Sequence, residues 1–535
     1  MRIRCLLTVL LPTALLGSVA FGGEEFAPSA EGLSPISRSS PMSAEPSFEE
    51  PLAADEAMAE PSVEAVEPMA EVVVQAASEF SRILWVSPGG SDTAAGTEAA
   101  PFRTVSKALS LVQPGEAIYL KSGTYTERLR LDSRDGSSGH YLTVKAAPGA
   151  KPLFKGGTGS RTPMLDVRRA YWRVEGLTLD LGGDKAFAAL WRGSSAHHGI
   201  LRGCTLKNGT EGGGAYVAQK ASDILIEGNV ISNFQRSGKD SHGVVVETNS
   251  RNVTVRSNDI HHNSGDGVQC LGPEGGATDP GTPFDNLLVE NNDLHENREN
   301  GADIKTCTHV TLRGNRIWGH RRTSSSAGEG VVVHMSARDV TLEQNEVRDN
   351  GLGIVIGGVR EGAPPTNIVL RRNIVRDGYN ADGSQGAGIR IDTSVNVKVQ
   401  HNTVWNMPSN CLVVGNGESG PSQSVEVRNN LLGSCAAVVR TEPSRSGVTF
   451  DGNFYFSPTG LATFRLDGSS LGLSGWKSRS GWDVHSGEKT PLFVSTTAPD
   501  FHLKSSSPAL NAGVSLGAAF CGAAPDVGAW ESDCP

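Results

Sequence analysis

No C-x-x-C pair occurs anywhere in the chain, which argues against a structural zinc site. No apolar run beyond the first twenty or so residues is long enough to span a membrane. The body carries no excess of positive charge. Residues 81–535 hold 45 acids and 45 bases, so there is no global field to attract nucleic acid, and any polyanion site must be a local patch. The net charge of −10 arises in residues 23–80, where thirteen Asp/Glu meet a single base, Arg38, offset only by Arg2 and Arg4.

The first residues carry their own signal. Arg2 and Arg4 precede an apolar run from Cys5 to Leu16, and Ser18-Val19-Ala20 or Ala20-Phe21-Gly22 supplies small residues for cleavage. This is the pattern of a secretory signal over residues 1–22, so the mature protein is expected outside the cytoplasm: extracellular, periplasmic or at the cell surface. Residues 23–80 are rich in Pro, Ala, Ser and Glu and cannot offset their ordering entropy by burial, so they are expected to be a disordered acidic linker. Seven cysteines remain after such a signal. Export permits disulfides, and an odd number leaves at least one thiol free or paired between chains. Cys411 with Cys435 and Cys521 with Cys534 are candidate pairs. Cys270, on a core-facing position, is expected to be a small buried hydrophobe.

From about residue 165 the chain repeats. Asn-x-[Ile/Val/Leu] recurs at Asn229, Asn258, Asn292, Asn315, Asn345, Asn373, Asn402 and Asn430, with gaps of 29, 34, 23, 30, 28, 29 and 28 residues. A short β-branched run precedes each asparagine. A polar turn and a Gly-led strand follow, as in Gly243-Val244-Val245-Val246 and Gly301-Ala302-Asp303-Ile304-Lys305. Units of this length are too short for helix pairs or propeller blades and are rich in strand and turn formers. They predict an all-β, single-stranded parallel β-helix over residues 81–460, with coils stacked about 4.8 Å apart. The asparagines would form a ladder at one buried corner. Thr104 to Val112 fits a capping helix at one end, and residues 461–535 would close the other.

The residues Trp85-Val86-Ser87-Pro88, Gly90-Ser91-Asp92, Ala100-Pro101-Phe102, Pro114-Gly115 and Gly123-Thr124-Tyr125, with Ser507-Pro508-Ala509 and Asp526-Val527-Gly528-Ala529 near the end, carry a resemblance. Over roughly residues 83–531 the chain resembles secreted right-handed parallel β-helix proteins of the pectate lyase and chondroitinase B-like group. That resemblance implies the fold and a polysaccharide substrate. It does not extend to the calcium-binding aspartates of pectate lyases or the paired aspartates of polygalacturonases. Fold alone does not fix a reaction.

Strand alternation therefore has to locate the site. Val244, Val268, Cys270, Ala302, Ile304, Val331, Val333, Ile354 and Ile389 are expected to face the core. Gln269, Asp303 and Arg390 fall in one outward column, and Glu247, Lys305, His334 and Asp392 in the next. Asp303 and Lys305 share a face, with His334 one coil away. This constellation suits β-elimination on a uronate polymer, in which a carboxylate is neutralised and the neighbouring proton removed. Lys305, with a lowered pKa, is the expected base and His334 the alternative, with Arg390 completing the catalytic set. Arg321, Arg322 and Gln269 are expected to bind substrate. Asp303, Asp266, Glu247 and Glu299 are expected to hold Ca²⁺ if a metal is used. The partner is then an acidic polysaccharide, with no nucleic acid and no membrane span, and the chain is expected to act as a monomer. A glycoside hydrolase of the same fold, using Asp303 with Asp266 or Glu299, and a non-catalytic glycan-binding surface protein are the alternatives.

Overall fold

The computed structural model describes residues 79–273, 281–357, 363–379, 386–417, 420–442, 446–496 and 500–532. The expected signal segment, nearly all of the acidic linker, and Cys534 lie outside them. The described chain winds into three parallel sheets of 14 strands each. The first runs from Ile83–Val86 to Thr449–Asp451, the second from Leu129–Leu131 to Ser469–Leu471, and the third from Gly123–Tyr125 to Gly487–Glu488. Each full coil gives one strand to each sheet, in the order first, third, second. Arg251–Arg256, Asp259–His261 and Val268–Cys270 make one such coil, and Asp285–Glu290 begins the next.

The expected alternation holds. Val244, Val268, Ala302, Ile304, Val331, Val333, Ile354 and Ile389 all lie within one continuous apolar core. The glycines that open the strands of the second sheet are there for close approach. A Cβ at Gly301 would meet the carbonyl oxygen of Gly330 at 2.5 Å, and one at Gly267 would meet that of Gly301 at 2.6 Å. Any side chain would force the coils apart at that corner.

The asparagine ladder runs through the buried corner as expected. Nδ2 of Asn258 donates to Oδ1 of Asn292 at 3.0 Å, Asn315 to Asn345 at 2.9 Å, and Asn402 to Asn430 at 2.9 Å. The same oxygens accept the backbone N–H of the preceding asparagine, for example Asn315 to Asn345 at 3.0 Å. The ladder continues one coil past the motif count, to Asn453, which ends on Asp483. A second, shorter ladder was not anticipated: Asn263, Asn297, His320 and Asn350 follow one another at the next corner. Burial pushes the His320 imidazole down to about 4, so it serves this ladder as a neutral ring.

Both ends are closed. Thr104 caps the helix Val105–Leu111 by accepting from the Lys107 N–H, and Val105, Ala108 and Leu109 are buried against the first coils. At the far end the second sheet finishes in an antiparallel pair, Phe464–Leu466 with Ser469–Leu471. A second helix, Leu473–Ser480, follows and buries Trp476 against Phe464 and Phe450. Only Gly481, left-handed at its C-terminus, marks that helix in the sequence. Residues 461–535 were expected to close this end; residues 464–480 lie there, but the final segment does not. It lies along the flank of the third sheet, where Phe493, Phe501 and Val527 join Trp405, Leu431 and Phe454 in a separate apolar cluster.

Cys411 and Cys435 are bonded, as their spacing suggested. Cys270 is not a lone buried hydrophobe. It is bonded to Cys307, 37 residues on. Cys521 is also in a disulfide, though the Cys521–Cys534 pairing itself falls outside the described residues. Cys204 is the free thiol among the described residues. No helix among the described residues is long and apolar enough to cross a membrane.

Candidate functional site: a charged groove on the second sheet

Ala302–Lys305 is a strand of the second sheet, paired with Val268–Cys270 on one side and Glu329–His334 on the other. Pairing sets Asp303 beside Val332 and Lys305 beside His334. The Cys270–Cys307 bond clamps this strand two residues beyond Lys305. Asp303 lies at the centre. His334 Nε2 approaches its Oδ1 at 2.6 Å, and Lys305 Nζ its Oδ2 at 3.3 Å. The Asp303 side chain is 8% exposed and that of His334 10%. Burial alone would raise the Asp303 pKa, but the charges of His334 and Lys305 overcome it and hold the carboxyl well below its usual range. Nδ1 of His334 is buried without a hydrogen-bond partner among the described residues.

Behind this strand is a buried polar network. Asp266 accepts from the backbone and side-chain amides of Asn300, at 3.1 and 2.9 Å, and from Gln269 Nε2 at 3.0 Å. Asn300 in turn accepts from the Glu329 N–H at 3.1 Å and from Ser326 Oγ at 2.8 Å. Glu299 accepts from Ser325 Oγ. Its burial, reinforced by the negative charge of Asp266, pushes its pKa up to about 7. Burial likewise raises Glu329. These groups border a groove of about 680 Å³ over the second sheet. Asp303, Lys305 and His334 line it, with Glu299, Arg322 and Arg390 around them. The 323–327 segment forms one wall. On the far side Val332, Val355, Leu352, Ala387 and Val413 make a small apolar cluster outside the sheet.

With that geometry in place, comparison with known proteins is informative about the scaffold. Residues 84–277 match the family model described as "Pel9A-like, right handed beta helix region", and residues 282–454 match a general right-handed β-helix region. The chain is a pectate lyase-like right-handed β-helix. Residues 192–363 also match the model of the periplasmic copper-binding protein NosD. Among curated proteins, this β-helix is 28% identical over 213 residues to the uncharacterized protein YwoF of Bacillus subtilis, covering 36% of this chain and 44% of YwoF. It is also 28% identical over 194 residues to pectate lyase PEL9 of Emericella nidulans, covering 35% of this chain and 43% of that enzyme. It thus spans less than half the length of the curated relatives it matches. The crystal structure of pectate lyase Pel9A aligns with 84% of this chain and 96% of its own, at 19% identity and a TM-score of 0.42.

The β-helix brings together Asp303, Lys305, His334, Glu299 and Arg322, all expected from the sequence. It separates others. Arg390 lines the groove but sits three coil steps from Asp303 in the same column, roughly 14 Å along the axis, too far to share one sugar with Lys305. Arg321 is turned away. Its guanidinium stacks on Tyr379 at 3.8 Å and bonds Asp349 at 2.7 Å, so it ties a corner and does not line the groove. Gln269 is buried on Asp266, and Glu247 is 1% exposed; neither lines the groove.

The four expected calcium ligands do not converge. Among the described residues, no three of Asp303, Asp266, Glu247 and Glu299 bring donor atoms within 4.8 Å of one another. The oxygens of Asp303 are engaged by His334 and Lys305, and those of Asp266 by Asn300 and Gln269. This arrangement does not fit a calcium cage.

The electrostatics also correct the expected state of Lys305. Burial works to lower its pKa, but the charges of Asp303, Asp266 and Glu299 outweigh burial and raise it. The ammonium is therefore held, not released. One further residue was missed. His242, on the neighbouring coil, accepts the Asp266 N–H at Nδ1 (2.9 Å), and the same nitrogen is 3.2 Å from the Asp266 carboxylate. Nothing in the repeat marks it, because it precedes the glycine that begins its strand.

Proposed function

We propose that the protein is an exported polysaccharide lyase that cleaves an acidic, uronate-containing glycan by β-elimination. The observation that carries this reading is the placement of Lys305 on the groove floor, bonded to buried Asp303 and one coil step from His334. Similarity to a pectate lyase and disulfides suited to an oxidising compartment support it. In this reading Arg322 neutralises the carboxylate of the bound uronate. The neutral fraction of Lys305, small at neutral pH because its pKa is raised and growing as pH rises, takes the proton on the carbon beside that carboxylate. The electron pair forms the ring double bond, the glycosidic C–O bond breaks, and the departing oxygen takes a proton from solvent. Asp303 and His334 position the Lys305 amine. Arg390, further along the groove, holds the carboxylate of a different sugar unit.

The test is a panel of acidic glycans read together for the ultraviolet absorbance of unsaturated uronate and for new reducing ends, with and without added calcium. The panel expects absorbance from at least one polyuronate, abolished in Lys305→Ala. No absorbance from any member in either condition sinks the lyase reading.

A second reading has one specific observation in its favour. Glu299 has a pKa near 7 while nearby Asp303 is held ionised, which is the divided pair a glycoside hydrolase needs. Reducing ends without absorbance, lost in Glu299→Gln, would select it. Retention of a glycan without turnover would instead select a binding protein.

A further inference from the structure

On the third sheet, away from the groove, five chemically able side chains meet at one corner. The strands Asp259–His261 and Asp293–His295 pair so that His261 lies beside His295, which lies beside Trp318. The rings stack in a column: His261 on His295 at 4.8 Å and 12°, and His295 on Trp318 at 4.4 Å and 2°. Arg348 closes the column over Trp318 at 4.7 Å. From the sequence, His261 and His295 suggest no more than a shared corner role after their asparagines.

Stacking accounts for the ring planes. It does not account for the nitrogens. His295 sits between two carboxylates, with Nε2 at 2.9 Å from Asp259 Oδ1 and Nδ1 at 3.0 Å from Glu296 Oε2. His261 turns Nδ1 to Nδ1 of His262 at 2.7 Å, and its Nε2 has no hydrogen-bond partner among the described residues. Asp259, His261 and His295 bring donor atoms within 4.8 Å of one another, and so do His262, His295 and Glu296. The first three are half-buried.

We propose that Asp259, His261 and His295 form a binding site for a divalent d-block cation of the zinc or copper kind, with Glu296 and His262 holding the two imidazoles from behind. Mixed imidazole and carboxylate donors select this class over calcium and magnesium, which take oxygen ligands. Three protein ligands leave coordination positions open for water or a small ligand. A carboxylate on the far nitrogen of a ligating imidazole fixes its tautomer and strengthens it as a donor, and Glu296 is placed to do this for His295. Trp318 holds the plane of the His295 ring, and His261, stacked on it at 12°, is the imidazole that turns out of the stack so that its lone pair meets the same ion. The site is independent of the lyase reading.

The test uses the full-length protein, stripped with a chelator and titrated with Zn²⁺ by calorimetry and with Cu²⁺ by electron paramagnetic resonance. One site per chain is expected, with nitrogen hyperfine structure on Cu²⁺ from two imidazoles. Asp259→Asn, nearly isosteric, should weaken Zn²⁺ binding by tenfold or more, and Glu296→Gln by roughly 10- to 100-fold. His261→Gln should remove one nitrogen from the Cu²⁺ spectrum. His309→Gln, which lies outside the cluster and pairs with Asp285, should leave binding unchanged. Thermal melts of the metal-free variants check folding, and Asp259→Asn keeps the test open if His261→Gln does not fold. A wild-type protein that binds neither ion more tightly than about 100 μM, or a folded Asp259→Asn variant with wild-type affinity, overturns the site.

Discussion

The asparagine corner and the groove floor both place polar side chains in the wall of the same solenoid, and they differ in one instructive way. At the corner the same residue recurs coil after coil, each amide from Asn229 to Asn430 has an asparagine partner in the next coil, and a carboxyl enters only where the ladder ends, on Asp483. At the groove Asp303, Lys305 and His334 occupy two coils only. They leave a buried ring nitrogen unspent, and the carboxyls of Asp303 and neighbouring Glu299 are displaced in opposite directions. Recurrence is what a solenoid needs to stay wound. A local departure from it, at a cost in buried charge, needs another explanation, and chemistry supplies one.

The contrast can be broken by experiment. The largest effect is expected from Lys305→Ala, which should cut turnover of the active glycan by roughly 10²- to 10⁴-fold in a protein that still folds, with a lower melting temperature because buried Asp303 loses one of its two cationic partners. Because neighbouring carboxylates raise the Lys305 pKa, the neutral amine becomes commoner as pH rises, so the wild-type rate should climb into the alkaline range. A plateau from neutral pH upward would remove Lys305 as the base. Asn345→Ala, in the middle of the ladder, should act mainly on stability. It removes the acceptor of the Asn315 backbone N–H and of one Asn315 amide hydrogen, and a donor to the Leu312 carbonyl, and should lower unfolding free energy in a urea titration by roughly 3–5 kcal/mol. If Asn345→Ala lost activity while keeping stability, the two regions would not differ as argued.

Between these extremes lies the Cys270–Cys307 bond, which ties the end of one groove-floor strand to a residue just past the end of the next. Cys270→Ala with Cys307→Ala should cost about 2–4 kcal/mol and reduce turnover as well, since the Lys305 strand loses its clamp. The smallest effect concerns Glu299. Its folded pKa lies above the unfolded value, so it binds its proton more tightly in the native state. Its contribution to stability is present at low pH and fades as pH rises from about 4.5 to about 7. Glu299→Gln should therefore gain about 1–3 kcal/mol over wild type at pH 8 relative to pH 4, read from paired melts. Equal pH dependence in both proteins would mean that Glu299 titrates normally.

Most of the scaffold was legible because repetition writes the same instruction many times. The asparagine spacing fixed the coil, alternation assigned the inward and outward positions of Ala302 to Lys305, and their pairing with His334 followed from the register. What escaped depends on contacts between unlike segments. Cys307 meets Cys270, and His242 meets Asp266, across coils of different length, so no period announces them. The final segment breaks the repeat whether it caps an end or lies along a flank, and the aromatic cluster around Trp405 decides that. Charge states were the least legible. Lys305 is expected from the sequence to be a base of lowered pKa; burial does act that way, but the charge of Asp303 beside it, joined by Asp266 and Glu299 from the buried network, raises it.

The glycines that open the strands of the second sheet carry a consequence for how such a protein can change over generations. Gly267, Gly301 and Gly330 each face a carbonyl of the next coil at a distance no side chain tolerates. The corner that leads into the groove floor is therefore closed to substitution. The 323–327 segment borders the groove without joining the stack, and is tied to the buried network through Ser325 and Ser326, bonded to Glu299 and Asn300. A lineage adapting to a different glycan would keep its floor and rewrite its wall. Descendants would then differ most in what they accept and least in what they do to it.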